Sequence, residues 1–576
     1  MNILELSEQE ICRRASLEEL RRLGIEPYPA AEYPVDAYST EIKETFDASA
    51  EPREVCVAGR IMSRRIMGKA SFAELLDSRG RIQVYITRDD ICPDEDKTLY
   101  NSVFKKLLDL GDFIGVRGFV FQTQTGEISI HARELTLLAK SLKPLPVVKE
   151  KDGVTYDAFN DPELRYRRRY VDLLVNPGVK DIFLKRSIVI KTMRQVFDEA
   201  GYTEVETPIL QPIPGGASAR PFITHHNSLD VDLYLRIATE LYLKRLIVGG
   251  FEGVYEIGKN FRNEGMDKSH NPEFTCMELY VPYKDYNWMM QFTEHLLERI
   301  CLAVNGTTES VVDGQTISFK APFRRLPILE AIKEKTGYDL DGKSEDEIRE
   351  ICQKLDVEID ETMGKGKLID ELFGAYCEGT YIQPTFITDY PVEMSPLTKK
   401  HRTNPGLTER FELMVNGKEL ANAYSELNDP IDQEERFQEQ LRLSEKGDDE
   451  AMFLDADFLR ALQYGMPPTS GIGIGIDRLT MLMTGQTQIQ EVLLFPQMRP
   501  EKKAPRDAAS AYTALGIPEE LVPLLQKAGY NTVADLDGAN PQKIQQQLGD
   551  IIKKYKLDTT KPSVQDIAQW NIQGKA

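Results

Sequence analysis

Two arginines and two glutamates, far apart in the chain, sit in settings that suit phosphate and metal chemistry. The first setting is Phe261-Arg262-Asn263-Glu264, which runs through the polar, turn-rich Gly265-Met266-Asp267-Lys268-Ser269 to His270-Asn271-Pro272-Glu273-Phe274. Residues two apart in an extended strand share a face. A strand over Tyr255–Glu264 therefore sets Arg262 and Glu264 side by side. Its partner over Glu273–Val281 sets Phe274, Cys276, Glu278 and Tyr280 on one side and Thr275, Met277, Leu279 and Val281 on the other. This is a hairpin with one chemical face.

The second setting is Gly471-Ile472-Gly473-Ile474-Gly475-Ile476-Asp477-Arg478. Glycine alternating with isoleucine leaves one strand face bare, where a flat ring such as adenine could lie. Arg478, at the start of the next helix, could stack on that ring and reach a phosphate. A dinucleotide fingerprint fails here, because the third glycine comes too early and no βαβ unit surrounds it. Asp477 reads as the N-cap of a short helix ending near Gly485. The glutamates belong to a third segment, Phe411–Val415, Asn416-Gly417 and Lys418–Glu426, a hairpin with a type I′ turn. Its register puts Glu412 diagonal to Glu419 on one face, and two carboxylates that close need a cation between them. Mg²⁺ bound to ATP phosphates is the natural candidate.

The first two segments resemble motifs 2 and 3 of the class II aminoacyl-tRNA synthetases. A helix over Val179–Ala200, stopped at Gly201 and followed by a strand Tyr202–Pro208, resembles motif 1, which in that family builds a homodimer interface. Gly215–Phe222, Thr224–Asn227, Ala238–Tyr242 and Ser425–Asp429 are similar to the lysine-specific members. By that resemblance, ATP is held by Arg262, Glu264, His270, Asn271, Phe274, Gly475 and Arg478, with Arg262 and Arg478 catalytic and Phe274 and Arg478 sandwiching the adenine. Gly216 and Glu240 take the α-amino group of L-lysine, and Arg262 and Asn422 its carboxylate. Glu426 and Tyr280 take the ε-ammonium, Glu278 and Tyr424 line the pocket, and Glu412 and Glu419 hold Mg²⁺. A carboxylate facing an ammonium is the pair that lysine needs and aspartate would reject. The implied reaction is ATP-dependent formation of lysyl-adenylate, then transfer of lysine to the 3′ end of tRNA(Lys). Strict alternation turns Asn422, Tyr424 and Glu426 away from Glu419, so one shared pocket requires a β-bulge between Leu420 and Asn422.

These residues need several domains to position them, as 576 residues would supply. Residues 1–50 read as a helix, Ser7 to Leu23, stopped by Gly24 and followed by an extended lead rich in proline. Residues 51–145 alternate as five strands (Val55–Arg60, Ala70–Asp77, Gly80–Thr87, Asp112–Phe121 and Glu127–Ala139) with one helix near Leu99–Leu110. That is the order of an OB-fold or another small barrel. On it, Phe72, Gln83 and Glu127 match positions that read anticodons in the related synthetases; Phe72 serves equally well as a barrel filler. A linker over 146–178 carries Leu164-Arg165-Tyr166-Arg167-Arg168-Arg169, which suits either tRNA backbone or the chain's own acidic surface.

Residues 179–500 hold the chemistry, on a six- to seven-stranded antiparallel sheet by resemblance. They carry a helical insertion at about 326–380 (Leu326–Lys335, Glu345–Leu355, Lys367–Cys377), a cover for the site or simple packing. Residues 501–576 form a linker, Glu501-Lys502-Lys503-Ala504-Pro505, and a small all-α module of four or five helices, like a helix-hairpin-helix, with a nucleic-acid, protein-contact or structural role. The fold class is thus α+β and multidomain.

Seven cysteines without a Cys-x-x-Cys pair exclude a disulfide framework, and six histidines offer no zinc spacing. No membrane span or signal core is visible, so a cytoplasmic protein is expected. A net charge of −21 argues against indiscriminate nucleic-acid binding. Beside the tRNA-charging enzyme stand a lysine-activating enzyme with a protein acceptor, against which the complete barrel speaks, and a non-catalytic relative, against which Arg262, Glu412, Glu419 and Arg478 speak. An aspartate-specific enzyme would need a cation at Glu426.

Overall fold

The computed structural model describes all residues except 1–3, 5, 147–148, 152–153, 157–158, 218, 362, 446–453, 502–504 and 571–576. Ser218, and 502–504 of the expected linker, therefore lie outside the described residues. Two compact units form: residues 1–158 with 500–576, and residues 159–499.

The first unit opens with a helix, Glu8–Arg22, whose start is closed by reciprocal bonds between Ser7 and Glu10. Gly24, at φ +76°, ends it in the left-handed region that favours glycine. The stretch after it, expected to be extended throughout, contains a short helix, Ser39–Thr45. Asp77 holds that helix by accepting from Ser39 N at 2.6 Å and Ser39 Oγ at 2.8 Å, a long-range bond that no local pattern announces. Strands β1 (Glu54–Met67), β2 (Ala70–Leu76), β3 (Arg81–Thr87), β4 (Phe113–Gln122) and β5 (Ile128–Ala139) close a barrel in the order β1-β2-β3-β5-β4. Val57, Ile61, Leu75, Val84, Ile114, Val116 and Ile130 fill it. The expected helix before β4 is a wide π-type helix, Leu99–Leu107.

The last residues form helices Ala509–Thr513, Val522–Lys527, Pro541–Tyr555 and Val564–Gln569, with two short 3₁₀ turns. Their apolar cluster takes in Leu4 and packs Ile11 against it, and the Tyr555 hydroxyl donates to Leu6 O at 3.1 Å. The start of the segment 1–50 thus shares a core with 509–570, while its Leu20, Ala37 and Ile42 pack in the barrel.

The second unit is built on an eight-stranded sheet. Its strands are β6 (Thr203–Glu204), β7 (Val254–Phe261), β8 (Glu273–Pro282), β9 (Arg324–Pro327), β10 (Thr385–Thr388), β11 (Arg410–Val415), β12 (Lys418–Ser425) and β13 (Thr469–Gly475), in the order β9-β10-β11-β12-β13-β8-β7-β6. This corrects the six or seven antiparallel strands expected. Both edge pairs, β9/β10 and β6/β7, are parallel. The strand expected over Tyr202–Pro208 pairs through only Thr203 and Glu204. β9 occupies residues read as the start of a helix, which instead begins at Ile328, after Pro327.

One face of the sheet is apolar. Met277, Leu279, Ile472, Ile474, Ala421 and Ala423 pack there with Val189, Met193 and Phe197 of the helix Val179–Glu199 and with the helix Tyr286–Asn305. The other face is left for chemistry. The insertion helices Ile328–Thr336, Glu345–Lys354 and Lys365–Tyr376 form a separate cluster against Ile387 and Met414.

The basic run at 165–169 belongs largely to packing. Arg169 is fully buried and donates to Asp172 at 2.5 Å and to the Gln490 carbonyl at 2.6 Å. Arg165 joins Asp172 at 2.8 Å and Glu491 at 3.0 Å, and Arg167 joins Glu163 at 2.7 Å. Of the two readings open for this run, the internal one describes these three arginines.

Candidate active site

A cavity of about 490 Å³ lies on the sheet face opposite the core. β7 and β8 pair in register from Val254↔Tyr280 to Phe261↔Glu273. Alternation then sends Phe274, Cys276, Glu278 and Tyr280 to the cavity and Met277, Leu279 and Val281 to the core, as expected; Thr275, expected on the core side, also lines the cavity. Arg262 and Glu264 lie just past the strand, whose last residue is Phe261 rather than Glu264. A bond from Arg262 N to Pro272 O at 2.8 Å keeps the chain on course there. The Arg262 guanidinium stands 5.1 Å from the centre of the Phe274 ring, and its buried Nε has no hydrogen-bond partner among the described residues. A buried donor left unpaired is costly, so the geometry calls for an acceptor from a ligand.

β13 runs between β8 and β12, with Gly475, Gly473 and Gly471 opposite Cys276, Glu278 and Tyr280. The glycines line the cavity and the isoleucines fill the core. A Cβ at Gly471 would stand 2.3 Å from Glu426 Oε1 and 2.4 Å from the Tyr280 ring, so only glycine fits. The following helix is Ile476–Thr484 with Gly475 as its N-cap, which corrects the assignment of Asp477. Asp477 instead accepts from Thr275 N at 2.8 Å and pairs with Arg186 at 2.6 Å, fixing the helix start to β8. That placement leads Arg478 to Glu419 O at 2.6 Å and His270 Nε2 at 3.0 Å. His270 is braced by Asp267 through Nδ1 at 2.8 Å, and Asn271 donates to Glu273 O at 2.6 Å. Glu264, His270, Asn271, Phe274, Gly475 and Arg478 all line this end.

The β11/β12 hairpin turns through Asn416 and Gly417, both at positive φ. Met414 faces Glu419 but Leu413 faces Ala421, so Leu420 is an extra residue. This is the required bulge, at the first position of the interval named for it. It brings Glu412, Glu419, Asn422 and Tyr424 to one cavity. Burial pushes the Glu412 carboxyl up, Arg410 pulls it back and Glu419 adds to the rise, leaving it at about 7. Arg410, which the sequence reading passed over, donates to Glu412 at 2.5 Å and to Asn422 Oδ1 at 3.2 Å, tying the two positions together. Two carboxylates at such a place suit a hard cation held mainly by a ligand's phosphates. Among the described residues, no group of three or more His, Cys, Asp or Glu side chains converges as a metal site.

The far end of the cavity is acidic. Gly216, at φ +88°, Glu240, Glu278, Tyr280, Asn422 and Tyr424 line it. Glu278 accepts from Thr239 N and from the Tyr280 hydroxyl, each at 3.1 Å. The Tyr424 hydroxyl donates to Glu240 Oε1 at 2.6 Å. Glu426 is 2 % exposed, its carboxyl beside Gly471 and Tyr280, and it is not part of the cavity wall. Neither of its oxygens has a hydrogen-bond partner of ordinary geometry among the described residues, and Lys244 Nζ contacts Oε2 as an ion pair. Burial, and then the neighbouring Glu240 and Glu278, push its carboxyl up against the pull of Lys244. Met394–Thr398 also lines the cavity, a loop that carries no motif, whereas no residue of the insertion helices does.

In the other unit, Phe72 and Gln83 alternate with buried Ala73, Ile82 and Val84 and so point out of the barrel. Phe72 is therefore no barrel filler. It stands 5.0 Å from Tyr85, which lies 5.1 Å from His131 and 6.0 Å from Phe121. Phe119 is 4.8 Å from His131. This outward aromatic face was legible from alternation, though only Phe72 was picked from it. Gln83 Oε1 accepts from Ser129 at 2.9 Å, and exposed Glu127 pairs with Lys43 at 3.2 Å.

Residues 161–499 match the family model of the class II tRNA synthetases (D, K and N). Residues 55–138 match an OB-fold nucleic acid binding domain, and residues 503–576 a domain of unknown function. A lysine–tRNA ligase from Porphyromonas gingivalis strain W83 is 68 % identical over 572 residues, 99 % of each chain. One from Azobacteroides pseudotrichonymphae is 67 % identical over 86 % of this chain and 99 % of its own. A third, from Christiangramia forsetii, is 66 % identical over 87 % of this chain and 88 % of its own. With arginines at one end of the cavity, carboxylates at the other and relatives matched along nearly the whole length, this chain belongs to the class II aminoacyl-tRNA synthetases, in the family of the lysine–tRNA ligases.

Proposed function

We infer that this chain joins L-lysine to ATP, releasing pyrophosphate, and transfers the lysyl group from the adenylate to the 3′ end of tRNA(Lys). The observation that carries the reading is the polarity of the cavity. Arg262, Arg478 and His270 line one end, and the buried carboxylates Glu240 and Glu278 line the other, with buried Glu426 close beside them. A substrate with two ammonium groups, one beside its carboxylate and one at the far end of its side chain, matches the second end, and a nucleoside triphosphate the first.

Gly216 and Glu240 receive the α-amino group, Glu426 and Tyr280 the ε-ammonium. Arg262 and Asn422 orient the lysine carboxylate, which attacks the α-phosphorus as pyrophosphate leaves toward Arg478 and His270. The unpartnered Nε of Arg262 is preorganised for the charge that grows there. Glu412 and Glu419 would hold Mg²⁺, which supplies charge neutralisation on the phosphates when bound. Catalysis comes from positioning and charge, with no covalent enzyme intermediate.

Phe72, Gln83 and Glu127 read the anticodon, with Tyr85, Phe119, Phe121 and His131 extending the stacking surface. A homodimer is supported by exposed apolar side chains on and beside the motif 1 helix: Leu184, Ile188, Leu210, Ile223 and Val231. The reaction, with seven free cysteines, suits the cytoplasm. No helix among the described residues is long and apolar enough to cross a membrane.

Amino-acid-dependent exchange of pyrophosphate into ATP, run across all twenty amino acids with wild type and Glu426→Gln, tests this. Exchange with lysine alone, largely lost in Glu426→Gln, is expected. Exchange with aspartate or asparagine would overturn the pocket assignment, and no exchange at all would overturn the enzyme.

A further inference from the structure

The acidic end of the cavity holds a cation of its own. Lys244 lies on the helix Glu240–Val248, one turn after Glu240, and its side chain is completely buried. Its Nζ is 2.5 Å from Glu240 Oε1 and also contacts Glu426 Oε2. The rings of Tyr424 and Phe458 flank it at 5.5 Å and 5.9 Å. The Lys244 and Tyr424 bonds to Glu240 both fall on Oε1, and the Lys244 contact with Glu426 falls on Oε2, the oxygen away from Gly471.

Charge counting gives this arrangement a purpose. Glu240 and Glu278 line the pocket and Glu426 adjoins them, three buried carboxylates in one cluster, and burial drives such groups toward their neutral forms. A protonated carboxyl would meet an incoming ammonium with no charge to offer. One resident ammonium, in contact with Glu240 and Glu426, lowers the cost of keeping that pair ionised; with the charge of Glu278 counted, two negative charges are left over. Two is the number of ammonium groups on lysine.

We propose that Lys244 is a positioning residue for amino-acid selection, a built-in counter-ion that keeps Glu240 and Glu426 ionised so that the pocket receives both ammonium groups of lysine without releasing a proton. The proposal rests on the reading of this pocket as the lysine site. Lys244 acts through the two carboxylates and touches neither substrate. Glu240 faces it from its own helix, and Tyr424 and Glu426 from β12 and the residue after it; Glu278 and Tyr280 of β8 adjoin Glu426 and Glu240, and Phe458 brings no charge. Burial works to depress the Lys244 ammonium and is outweighed by Glu240 and Glu426, which hold it above its ordinary range.

The test is the number of protons exchanged when L-lysine binds the full-length protein, measured by titration calorimetry near pH 7 in buffers of different ionisation enthalpy. Wild type should bind lysine with a proton count near zero. Release of about one proton would overturn the counter-ion role while leaving the lysine reading standing. Absence of lysine binding would instead sink the lysine reading. Lys244→Met, of similar length and uncharged, should release about one proton on binding. Its KM for lysine in pyrophosphate exchange should rise about tenfold for each pH unit below the pKa of the carboxyl that takes up the proton, and recover as pH rises. Its KM for ATP should not move. A Lys244→Met variant with the wild-type proton count and a flat pH profile would overturn the proposal. If that variant fails to fold by circular dichroism, the wild-type count decides alone.

Discussion

Arg169 and Arg262 carry the same guanidinium and meet opposite fates. Arg169 is sealed between Asp172 and the carbonyls of Gln490 and Leu493, all supplied by its own chain. Arg262 has a ring beneath it and a buried Nε for which the described residues supply no acceptor. In the sequence the dense run around Arg169 looked the more suited to nucleic acid. The difference teaches that a cation's task depends on where its counter-charge comes from. A carboxylate within the fold makes it architecture, and one brought by a ligand makes it a site.

Breaking Arg169 should have the largest effect. Arg169→Met takes from buried Asp172 one of its two guanidiniums, leaving Arg165, and takes a donor from the Gln490 and Leu493 carbonyls; a loss of about 3 kcal/mol is expected in denaturant unfolding, with pyrophosphate exchange per folded molecule unchanged. Arg262→Ala should do the reverse, lowering kcat/KM for exchange by about 10²–10³-fold while the unfolding midpoint stays put. If the two variants behaved alike, the contrast would fail.

Aromatic residues sharpen the same contrast at smaller scale, since Phe104 is sealed in the barrel core and Phe72 stands on its outer face. Phe72→Ala should raise the KM for tRNA by the equivalent of about 1–3 kcal/mol of stacking and leave pyrophosphate exchange without tRNA untouched. An unmoved KM would remove Phe72 from the anticodon face.

The smallest effect belongs to a pair with one exposed member. Lys143, with Ser7 at the helix cap, holds the Glu10 carboxyl at about 2, below the ordinary 4.5. The folded value lies below the unfolded one, so the stabilisation is present above pH 4.5 and is lost as pH falls toward 2. Because Lys143 is mostly exposed, Glu10→Gln should cost under about 1 kcal/mol near neutral pH. The gap from wild type, followed by denaturant unfolding across pH, should close by about pH 2.

Much of the site was legible because two-residue periodicity is a strong constraint. A strand that must bury Met277, Leu279 and Val281 has to turn Phe274, Cys276, Glu278 and Tyr280 the other way. The Asn416-Gly417 turn set the register of its hairpin, and the demand that Glu419 and Asn422 share a pocket was enough to call for a bulge. What escaped was held by distant partners. Arg410 and Lys244 sit in no motif, and their roles exist only because Glu412 and Asn422, or Glu240 and Glu426, meet at their side-chain ends. The helix Ser39–Thr45 escaped for the same reason, since its anchor is Asp77.

The sequence by itself determined the alternation of β7, β8 and β13, the Asn416-Gly417 turn and the capped helix at Glu8–Arg22, because these follow from neighbours a few residues away. With them came the resemblance that named the chemistry. Only the tertiary structure decided which charges are answered inside the fold, that Glu426 stands beside Gly471 and Tyr280 and is not part of the cavity wall, that the sheet gains parallel strands at its edges and that residues 509–570 pack with Leu4 and Ile11. Each of those depends on pairings between segments tens to hundreds of residues apart, and burial, which sets what a charge can do, exists only once those segments have met.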